Sequence, residues 1–359
     1  MTSSAAARRL VSVDVLRGWA VAAMLLVNDP GDWGHVYAPL EHSAWHGCTP
    51  TDLIFPLFLF LVGSSLALAL GPKLDAGAAR RELVWAACRR GLRIILLGLV
   101  LHLLAWWLMD RSAFRPLGVL QRIGLCFIGV ACIAPWLRRT TQWAVLAALL
   151  GGYAALLLGG GTLDKLGSLP QRVDTALLGH WAYEWDAAGS VGFDPEGVLS
   201  TLGALATCWL GWLCGDLLRR GQLRALAGVG VGALLLGGLW AGWQLPLNKP
   251  LWTPSFVLWT GGLDAGLLLL AHVAFDRWQW PPWGRAFGLN AIAAYAGAWM
   301  STVLLEASGW MASIYARGFG WLAPWVGPYG QSLAFALVFV AAWWLVVALL
   351  LRRGIFIKV

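Results

Sequence analysis

The sequence predicts an all-α, polytopic membrane protein with about ten transmembrane helices. Hydrophobic residues make up 59% of the 359 positions and charged residues only 12%, a balance that leaves too little polar surface for a soluble domain. Apolar segments of about 18 to 22 residues, long enough to cross roughly 30 Å of hydrocarbon, recur along the whole chain. We therefore expect a single transmembrane domain over residues 1–359 and no separate soluble domain.

The first apolar segment is expected to remain as a membrane helix. Asp14 and Arg17 interrupt its start, and no small-residue cleavage pattern follows its apolar part, so it does not read as a cleaved signal peptide. The predicted spans cover residues 11–28, 52–71, 91–109, 119–137, 141–159, 197–217, 225–243, 254–275, 286–306 and 331–351.

The distribution of charge sets the expected orientation. Most of the 26 Lys and Arg residues, including Arg8, Arg9 and Lys358 near the chain ends, fall in the short connections on one side of these spans. The positive-inside rule places this side, with both termini, in the cytoplasm. The net charge of +8 therefore reports topology and gives no reason to expect a nucleic-acid partner.

The connections on the opposite side are long and rich in Gly, Pro, Trp and acidic residues. They cover residues 29–51, 160–196 and 307–330. Long loops in a compact protein are either functional or disordered, and the aromatic content of "GHWAYEWDAAGSVGFDPEG" favours an ordered cap. We expect the function to face outward.

Two polar positions of the first helix lie at opposite membrane faces. Asp14 and Arg17 are three residues apart on one helical face, and an arginine at the membrane edge is retained either by pairing with Asp14 or by binding an anionic ligand. Asn28 lies eleven residues after Arg17, roughly 16 Å along the axis. It either caps the helix or holds a substrate carbonyl or amine through its amide.

The following loop carries His35, Glu41, His42 and His46 before Asp52 opens the second helix. Asp52 fits an ordinary helix-start signal, because the helix dipole favours a negative side chain there, and it is also a candidate substrate-binding residue. A histidine held at a membrane boundary is a candidate general base or nucleophile. His42 and His46 are four apart but have no convincing third ligand, so no metal site is expected.

Further polar residues cluster at predicted span ends on the outer side. They can line a sugar-sized pocket, or serve as helix caps and interfacial anchors. They are Gln121 and Arg122 in "LQRIG", Asp194 and Glu196 in "FDPEG", and Asn248 and Lys249 in "LNKPLWTPS".

On the inner side, "DRWQWPPWGRAFGLN" brings Arg277, Arg285 and Asn290 beside indoles. Arginine forks suit phosphate, so this segment can receive a phosphorylated nucleotide. Cytoplasmic arginines are, however, expected from topology alone.

Six segments, taken in order, carry a family resemblance. They are "RLVSVDVLRGWAVAAMLLVN", "HSAWHGCTPTDLIFPLFLFLVGSS", "GVLQRIG", "FDPEGVLSTLGALAT", "LNKPLWTPSFVLWTGG" and "GLNAIAAYAGA". Together they resemble the heparan-α-glucosaminide N-acetyltransferase family, most closely its bacterial NagX-type branch.

The resemblance implies a transmembrane acyltransferase of the bacterial inner membrane. It implies that acetyl moves from cytoplasmic acetyl-CoA to the amine of a glucosamine-type sugar on the periplasmic side. His42 matches the family's catalytic histidine, and Asn28 its active-site asparagine, although the intervening "DPGDWGHVYAPLE" differs from the family in length and composition.

On this basis we expect Arg17, Arg277, Arg285 and Asn290 to bind acetyl-CoA, whose pantetheine arm would follow a continuous passage toward Asn28 and His42. His42 would act as general base in direct transfer or, alternatively, as a nucleophile that forms acetyl-histidine.

Two other functions stay open. A secondary transporter of sugars or amino sugars would use Asp264 and His272 as a proton pathway, and an acyltransferase acting on a lipid-linked glycan would differ in acceptor alone. The sequence also leaves the oligomeric state open, a homodimer included.

Overall fold

The computed structural model describes residues 10–357, and these fold into helices joined by loops and one short hairpin. Arg8, Arg9 and Lys358, which contribute to the predicted charge bias, lie outside the described residues. The helices are α1 Val11–Asn28, α2 Ile54–Asp75, α3 Arg80–Leu108, α4 Val119–Ile133, α5 Arg139–Gly159, α6 Leu169–Leu178, α7 Thr201–Arg219, α8 Leu223–Trp243, α9 Pro254–Ala271, α10 Arg285–Leu289, α11 Ala291–Ala307, α12 Trp310–Phe319 and α13 Ala323–Arg352. The strands are β1 Glu184–Asp186 and β2 Val191–Phe193.

The predicted all-α membrane architecture is confirmed. Within residues 10–357, nine helical stretches are long and apolar enough to cross a membrane. The ninth predicted span, residues 286–306, is found as the short α10 followed by the 17-residue apolar α11. The last apolar stretch begins earlier than predicted, at Trp310, because α12 and α13 follow one another almost directly.

The centre of the bundle is the tightly packed pair α2 and α7. A β-carbon on Gly63 of α2 would lie 1.8 Å from the carbonyl oxygen of Cys208, and one on Gly211 of α7 would lie 2.0 Å from that of Phe60. The two backbones approach so closely only because these positions have no side chain, a common device where helices pack in a membrane.

A side chain far away in sequence caps the start of α1. The Asp276 carboxylate Oδ1 accepts hydrogen bonds from the main-chain nitrogens of Val11 at 2.7 Å and Ser12 at 3.2 Å. These are two of the N–H groups that the first turn of a helix leaves without a partner. The end of α1 that carries Arg17 is thereby fixed to the segment that follows α9.

An ordered cap covers the other end of α1, as the aromatic loop 160–196 predicted. It contains α6 and an antiparallel hairpin in which Glu184 of β1 pairs with Phe193 of β2. The indole nitrogen of Trp45 donates to the carbonyl oxygen of Leu163 at 2.9 Å, and the Trp45 ring meets Phe193 edge-on. The loop that carries His42 is thus attached to the cap.

Candidate active site

A cavity of about 510 Å³ lies between α1, α3, α11 and the cap. We call it the His42 cavity. Its wall combines aromatic rings with ionisable groups, which is typical of a small-molecule site. The polar and aromatic residues that line it are Asn28, Asp29, Trp33, His42, Ser43, Asp52, His102, Trp106, Arg111, Arg115, Tyr183, Glu196, Lys249, Trp252, Tyr295, Trp299, Thr302 and Glu306.

His42 is held in the wall of this cavity by Asp52. The two side chains meet through Nδ1 of the imidazole and Oδ1 of the carboxylate at 2.7 Å. The Asp52 side chain is 1% exposed and that of His42 is 53% exposed. A carboxylate accepts hydrogen bonds only, so the pair places a proton on Nδ1 and leaves Nε2 with a free lone pair.

The local sequence explains why the carboxylate is fixed. Thr49 and Asp52 form a capping box around Pro50 at the entrance to α2. Asp52 Oδ2 also accepts hydrogen bonds from the main-chain nitrogens of Thr49 at 3.0 Å and Ser43 at 3.1 Å. Asp52 therefore serves both as the helix-start residue that the sequence indicated and as the residue that orients His42.

A second loop brings Lys249 to the same place. Its Nζ lies 3.1 Å from His42 Nδ1 and 3.6 Å from Asp52 Oδ1. It is also 3.4 Å from His42 Nε2, so it lies beside the ring and not in line with either nitrogen lone pair. Burial lowers the pKa of the Lys249 ammonium below its ordinary value.

Asn248 builds this loop and does not line the cavity. Its Oδ1 accepts from the Leu251 nitrogen at 2.7 Å, and its Nδ2 donates to the Trp45 carbonyl at 2.9 Å. The side chain is fully buried. Asn248 thus locks the Lys249 loop onto the His42 loop, and Lys249 alone of the two faces the cavity.

Arg115 joins the cap to the bundle. Its Nε and Nη2 donate to Asp194 at 3.0 and 2.5 Å, and Nη2 also contacts Glu196. Although burial acts the other way, the two carboxylates raise the pKa of Arg115, and the guanidinium holds the pKa of Glu196 below its usual value. Glu196 lines the cavity, whereas Asp194 lies behind it.

Asn28, at the last position of α1, lines the cavity with its side chain exposed. Its amide makes no hydrogen bond to any residue between 10 and 357, so it is available to a ligand. Gln121 and Arg122 are instead buried behind the cavity wall. Arg122 donates to Gly197 and Ser200, which fixes the start of α7.

A second cavity, of about 840 Å³, lies at the opposite end of α1. We call it the Arg17 cavity. Arg17 is held there by hydrogen bonds from Nη2 to the Ser65 hydroxyl at 2.7 Å and from Nη1 to the Gly288 carbonyl at 3.0 Å. Arg90, Arg219 and His272 also line it, together with Asp14. The Asp14 carboxylate lies 3.5 Å from Arg17, as the pairing alternative predicted, and Arg219 is paired with Asp75 and Asp216. Basic groups outnumber acidic ones among the residues that line this cavity.

The other inner residues named from the sequence are not among those that line the Arg17 cavity. Arg277 ends the turn after α9, and Arg285 begins α10. The Asn290 amide donates to the Ile355 carbonyl at 3.2 Å and accepts from the Ile357 nitrogen at 2.9 Å. Asn290 thus holds the chain after α13 against the bundle.

Where the sequence led us to expect one continuous passage, the described residues show two separate cavities at successive levels of the same helices. α1, α3, α4 and α11 line both of them. On α1, Arg17 and Met24 mark the two levels, about 10 Å apart along the axis. Between them lies the buried Gln121 amide, packed where a β-carbon on Gly98 would be only 2.4 Å from its Oε1. Gln121 thus packs α4 against α3 at a level between those of the two cavities.

Several cavity residues were missed by sequence reasoning. Asp29, His102, Tyr295, Thr302 and Glu306 sit on helices or helix ends that the sequence marks only as apolar spans. Of the cavity residues that were missed, Arg115 had a signal in the sequence. It is an arginine on the outer side, where the positive-inside rule predicts few cations. Within residues 10–357, no group of three or more His, Cys, Asp or Glu is placed to hold a metal ion.

The fold and the cavity define the class: a multi-pass α-helical membrane protein with a carboxylate-oriented histidine in a cavity at one end of its bundle. The family model for the catalytic part of heparan-alpha-glucosaminide N-acetyltransferase matches residues 9–175. This match covers a little under half of the chain, and over that stretch the chain resembles the family.

Two curated relatives extend the match beyond those residues. The mouse heparan-alpha-glucosaminide N-acetyltransferase is 27% identical over 82% of this chain and 54% of its own length. The human protein is 28% identical over 82% of this chain and 53% of its own length. The chain thus spans about half the length of the curated relatives it matches.

Proposed function

We propose that the chain is a membrane-embedded acetyltransferase that moves acetyl from acetyl-CoA to the amine of a glucosamine-type sugar. The relatives' names describe N-acetyl transfer to a heparan α-glucosaminide. The observation that carries the proposal is the His42–Asp52 pair, 2.7 Å apart in a cavity wall. An imidazole whose Nδ1 is held by a buried carboxylate and whose Nε2 is left available suits general-base catalysis.

The Arg17 cavity is the proposed entry site of the donor. The nucleotide end of acetyl-CoA carries several phosphate charges, and arginine forks suit phosphate. Arg17, Arg90 and Arg219 supply such groups from α1, α3 and α7. The pantetheine arm would then pass the level of Gln121, between α3 and α4, to reach the His42 cavity.

In the reaction, the acceptor amine attacks the thioester carbonyl. Nε2 of His42 takes a proton from the attacking nitrogen and returns it to the departing thiolate, which leaves as CoA. Asn28, whose amide is available at the cavity wall, donates to the carbonyl oxygen as negative charge develops there. Direct transfer is the proposed route, and an acetyl-His42 intermediate is the alternative within the same residues.

We propose that the His42 end faces the periplasm of a bacterial inner membrane and that both termini are cytoplasmic. The excess of Lys and Arg in the short connections at the Arg17 end supports this orientation. The donor would then come from the cytoplasm and the acceptor from outside, and acetyl alone would cross.

The test is acetyl transfer by purified protein in detergent, from labelled acetyl-CoA to glucosamine. We expect N-acetylglucosamine and CoA from the native protein and a loss of at least a hundredfold in His42→Ala, a factor within the range of general-base catalysis. Binding of acetyl-CoA should be retained. The matched control is His35→Ala, since His35 pairs with Asp32 at the same 2.7 Å but does not line the cavity. Full activity of His42→Ala would show that the assigned role is wrong.

The same preparation separates the alternatives. Labelled acetyl that stays on the protein without acceptor would support the covalent route, and a strict need for both substrates would support direct transfer. Sugar uptake into vesicles without turnover would indicate a transporter. Asp264, on which that reading depends, is buried in α9 and lines neither cavity. Activity with lipid-linked but not free amino sugars would change only the acceptor.

A further inference from the structure

The charges of the His42 cavity do not balance. Arg115 is paired with Asp194 and Glu196, Lys249 lies beside Asp52, and the third cation, Arg111, contacts the Met109 sulfur. Two further carboxylates of the wall, Asp29 and Glu306, have no ion-pair partner within residues 10–357. Carboxylates in a partly desolvated cavity are stable either when protonated or when a cation is bound beside them.

Asp29 is aimed at the cavity by its neighbours. It directly follows Asn28 at the end of α1, and the residue is 6% exposed. The Thr302 hydroxyl of α11 donates to its Oδ1 at 2.5 Å. Its second oxygen, Oδ2, has no hydrogen-bond partner in the described part of the chain. Thr302 thus fixes the carboxylate and leaves one oxygen available to a ligand in the cavity.

Glu306 belongs to the same wall. It follows Thr302 by four residues on α11, and residues so spaced lie on one helical face. Both line the His42 cavity. The acidic wall of α1 and α11 therefore shares the cavity with the His42 and Lys249 loops, where each cation has a carboxylate neighbour.

The other titratable groups around Asp29 do not neutralise it. Tyr295 on α11 and His102 on α3 line the same cavity, and Arg111 is exposed at its rim. Asp32, three residues along the chain, is paired with His35 outside the cavity. Burial, with a further contribution from Glu306, raises the pKa of Asp29 to about 7 although the Thr302 hydroxyl acts the other way.

We propose that Asp29, oriented by Thr302 and flanked by Glu306, binds the ammonium group of the acceptor and makes the enzyme select an amine over a hydroxyl. This inference rests on the proposed acetyl transfer. The protonated amine enters as R–NH3⁺, and Asp29 takes one proton to give R–NH2 and a neutral carboxylic acid. The amine then attacks the thioester carbonyl, and Asp29 later releases its proton to water.

The experiment compares glucosamine with glucose, which differ in having an ammonium or a hydroxyl at one carbon. Binding is measured by titration calorimetry at pH 7 on the full chain in detergent. We expect the native protein to bind glucosamine at least tenfold more tightly than glucose, and Asp29→Asn to abolish that difference. Asparagine still accepts the Thr302 hydrogen bond, so a merely structural role of Asp29 predicts no change.

Two variants complete the design. Asp32→Asn removes an exposed carboxylate three residues away and should leave the preference within twofold of the native value. Glu306→Gln should weaken glucosamine binding several-fold, and it tests the same wall if Asp29→Asn fails to fold. An unchanged preference in folded Asp29→Asn, or equal binding of the two sugars by the native protein, would overturn the inference.

Kinetics distinguish this inference from the proposed function. In the transfer assay, Asp29→Asn should raise the KM for glucosamine at least tenfold while the affinity for acetyl-CoA stays within twofold. Transfer by the native protein with an unaltered KM in Asp29→Asn would contradict the ammonium subsite alone. Selective glucosamine binding without any transfer would contradict the acetyltransferase and leave the subsite supported.

Discussion

Replacing Asp52 by Asn tests whether this carboxylate acts through the tautomer of His42. In the native protein one oxygen receives the imidazole Nδ1–H, and the other receives the main-chain N–H groups of Ser43 and Thr49. Asparagine has one oxygen. If that oxygen keeps the two main-chain hydrogen bonds, its NH2 group faces Nδ1 and donates to it. The imidazole must then carry its proton on Nε2, and the base is lost.

The expected loss of rate follows from this change in the tautomer of His42. A positioned general base contributes about 10²- to 10⁴-fold in rate, which corresponds to about 3 to 5 kcal/mol of transition-state stabilisation. The fold should lose less, about 1 to 3 kcal/mol, because charge-assisted hydrogen bonds become neutral ones. Lys249, 3.6 Å from Oδ1, also loses its carboxylate neighbour. Asp52→Ala is less informative, because it would leave buried N–H groups without partners.

The assay is single-turnover acetyl transfer to glucosamine, with thermal unfolding in detergent measured on the same samples. We expect the rate to fall at least a hundredfold while the protein remains folded and binds acetyl-CoA. Asp32→Asn alters a second Asp–His pair with the same 2.7 Å separation and should change the rate less than twofold. A rate for Asp52→Asn within threefold of the native rate would refute the tautomer argument.

Three further predictions concern stability and are all read from thermal or denaturant unfolding in detergent. Arg115→Ala should cost about 3 to 5 kcal/mol, because it leaves the buried Asp194 carboxylate unpaired; a cap that unfolds no earlier than in the native protein would contradict this. Gly211→Ala should destabilise the protein by about 1 to 3 kcal/mol or more, because its β-carbon would lie 2.0 Å from a backbone oxygen of α2. The control is Gly232→Ala on α8, where a β-carbon would meet open space. That variant should be neutral or slightly stabilising. The pKa of Asp29 is raised from 3.8 to about 7. Between these two values the native state holds a proton that the unfolded chain releases. The free energy of unfolding should therefore fall by at most about 4 kcal/mol as the pH rises from 4 to 8. In Asp29→Asn this dependence of the free energy of unfolding on pH should disappear. An unchanged dependence would show that other groups cause it.

The sequence by itself determined the membrane architecture. Apolar segments of spanning length leave the backbone no alternative to helices, because the hydrocarbon offers no hydrogen-bond partners to N–H and C=O groups. Their positions therefore follow from composition, and the helix ends agree with the predicted ones closely for most spans. The sequence also predicts the start of α2, since Thr49, Pro50 and Asp52 carry a local capping signal.

The sequence also identified part of the candidate site. His42, Asn28, Asp52, Glu196 and Lys249 all line one cavity. Each is a polar group at the end of an apolar run, and such groups on one membrane face tend to meet. Local pattern could not tell these residues from Asn248, Arg122 or Asp194, which have the same character but hydrogen-bond within the packed shell.

Only the tertiary structure decided which of these polar groups meet. His42 and Lys249 are far apart in the chain, and their contact depends on Asn248 joining two loops. The acidic wall of Asp29 and Glu306 exists because α1 packs beside α11, which no local pattern specifies. Helix formation is set by each segment's own backbone and solvent, whereas a site is set by the packing of segments distant in sequence, and that packing positioned the groups that carry the proposed chemistry.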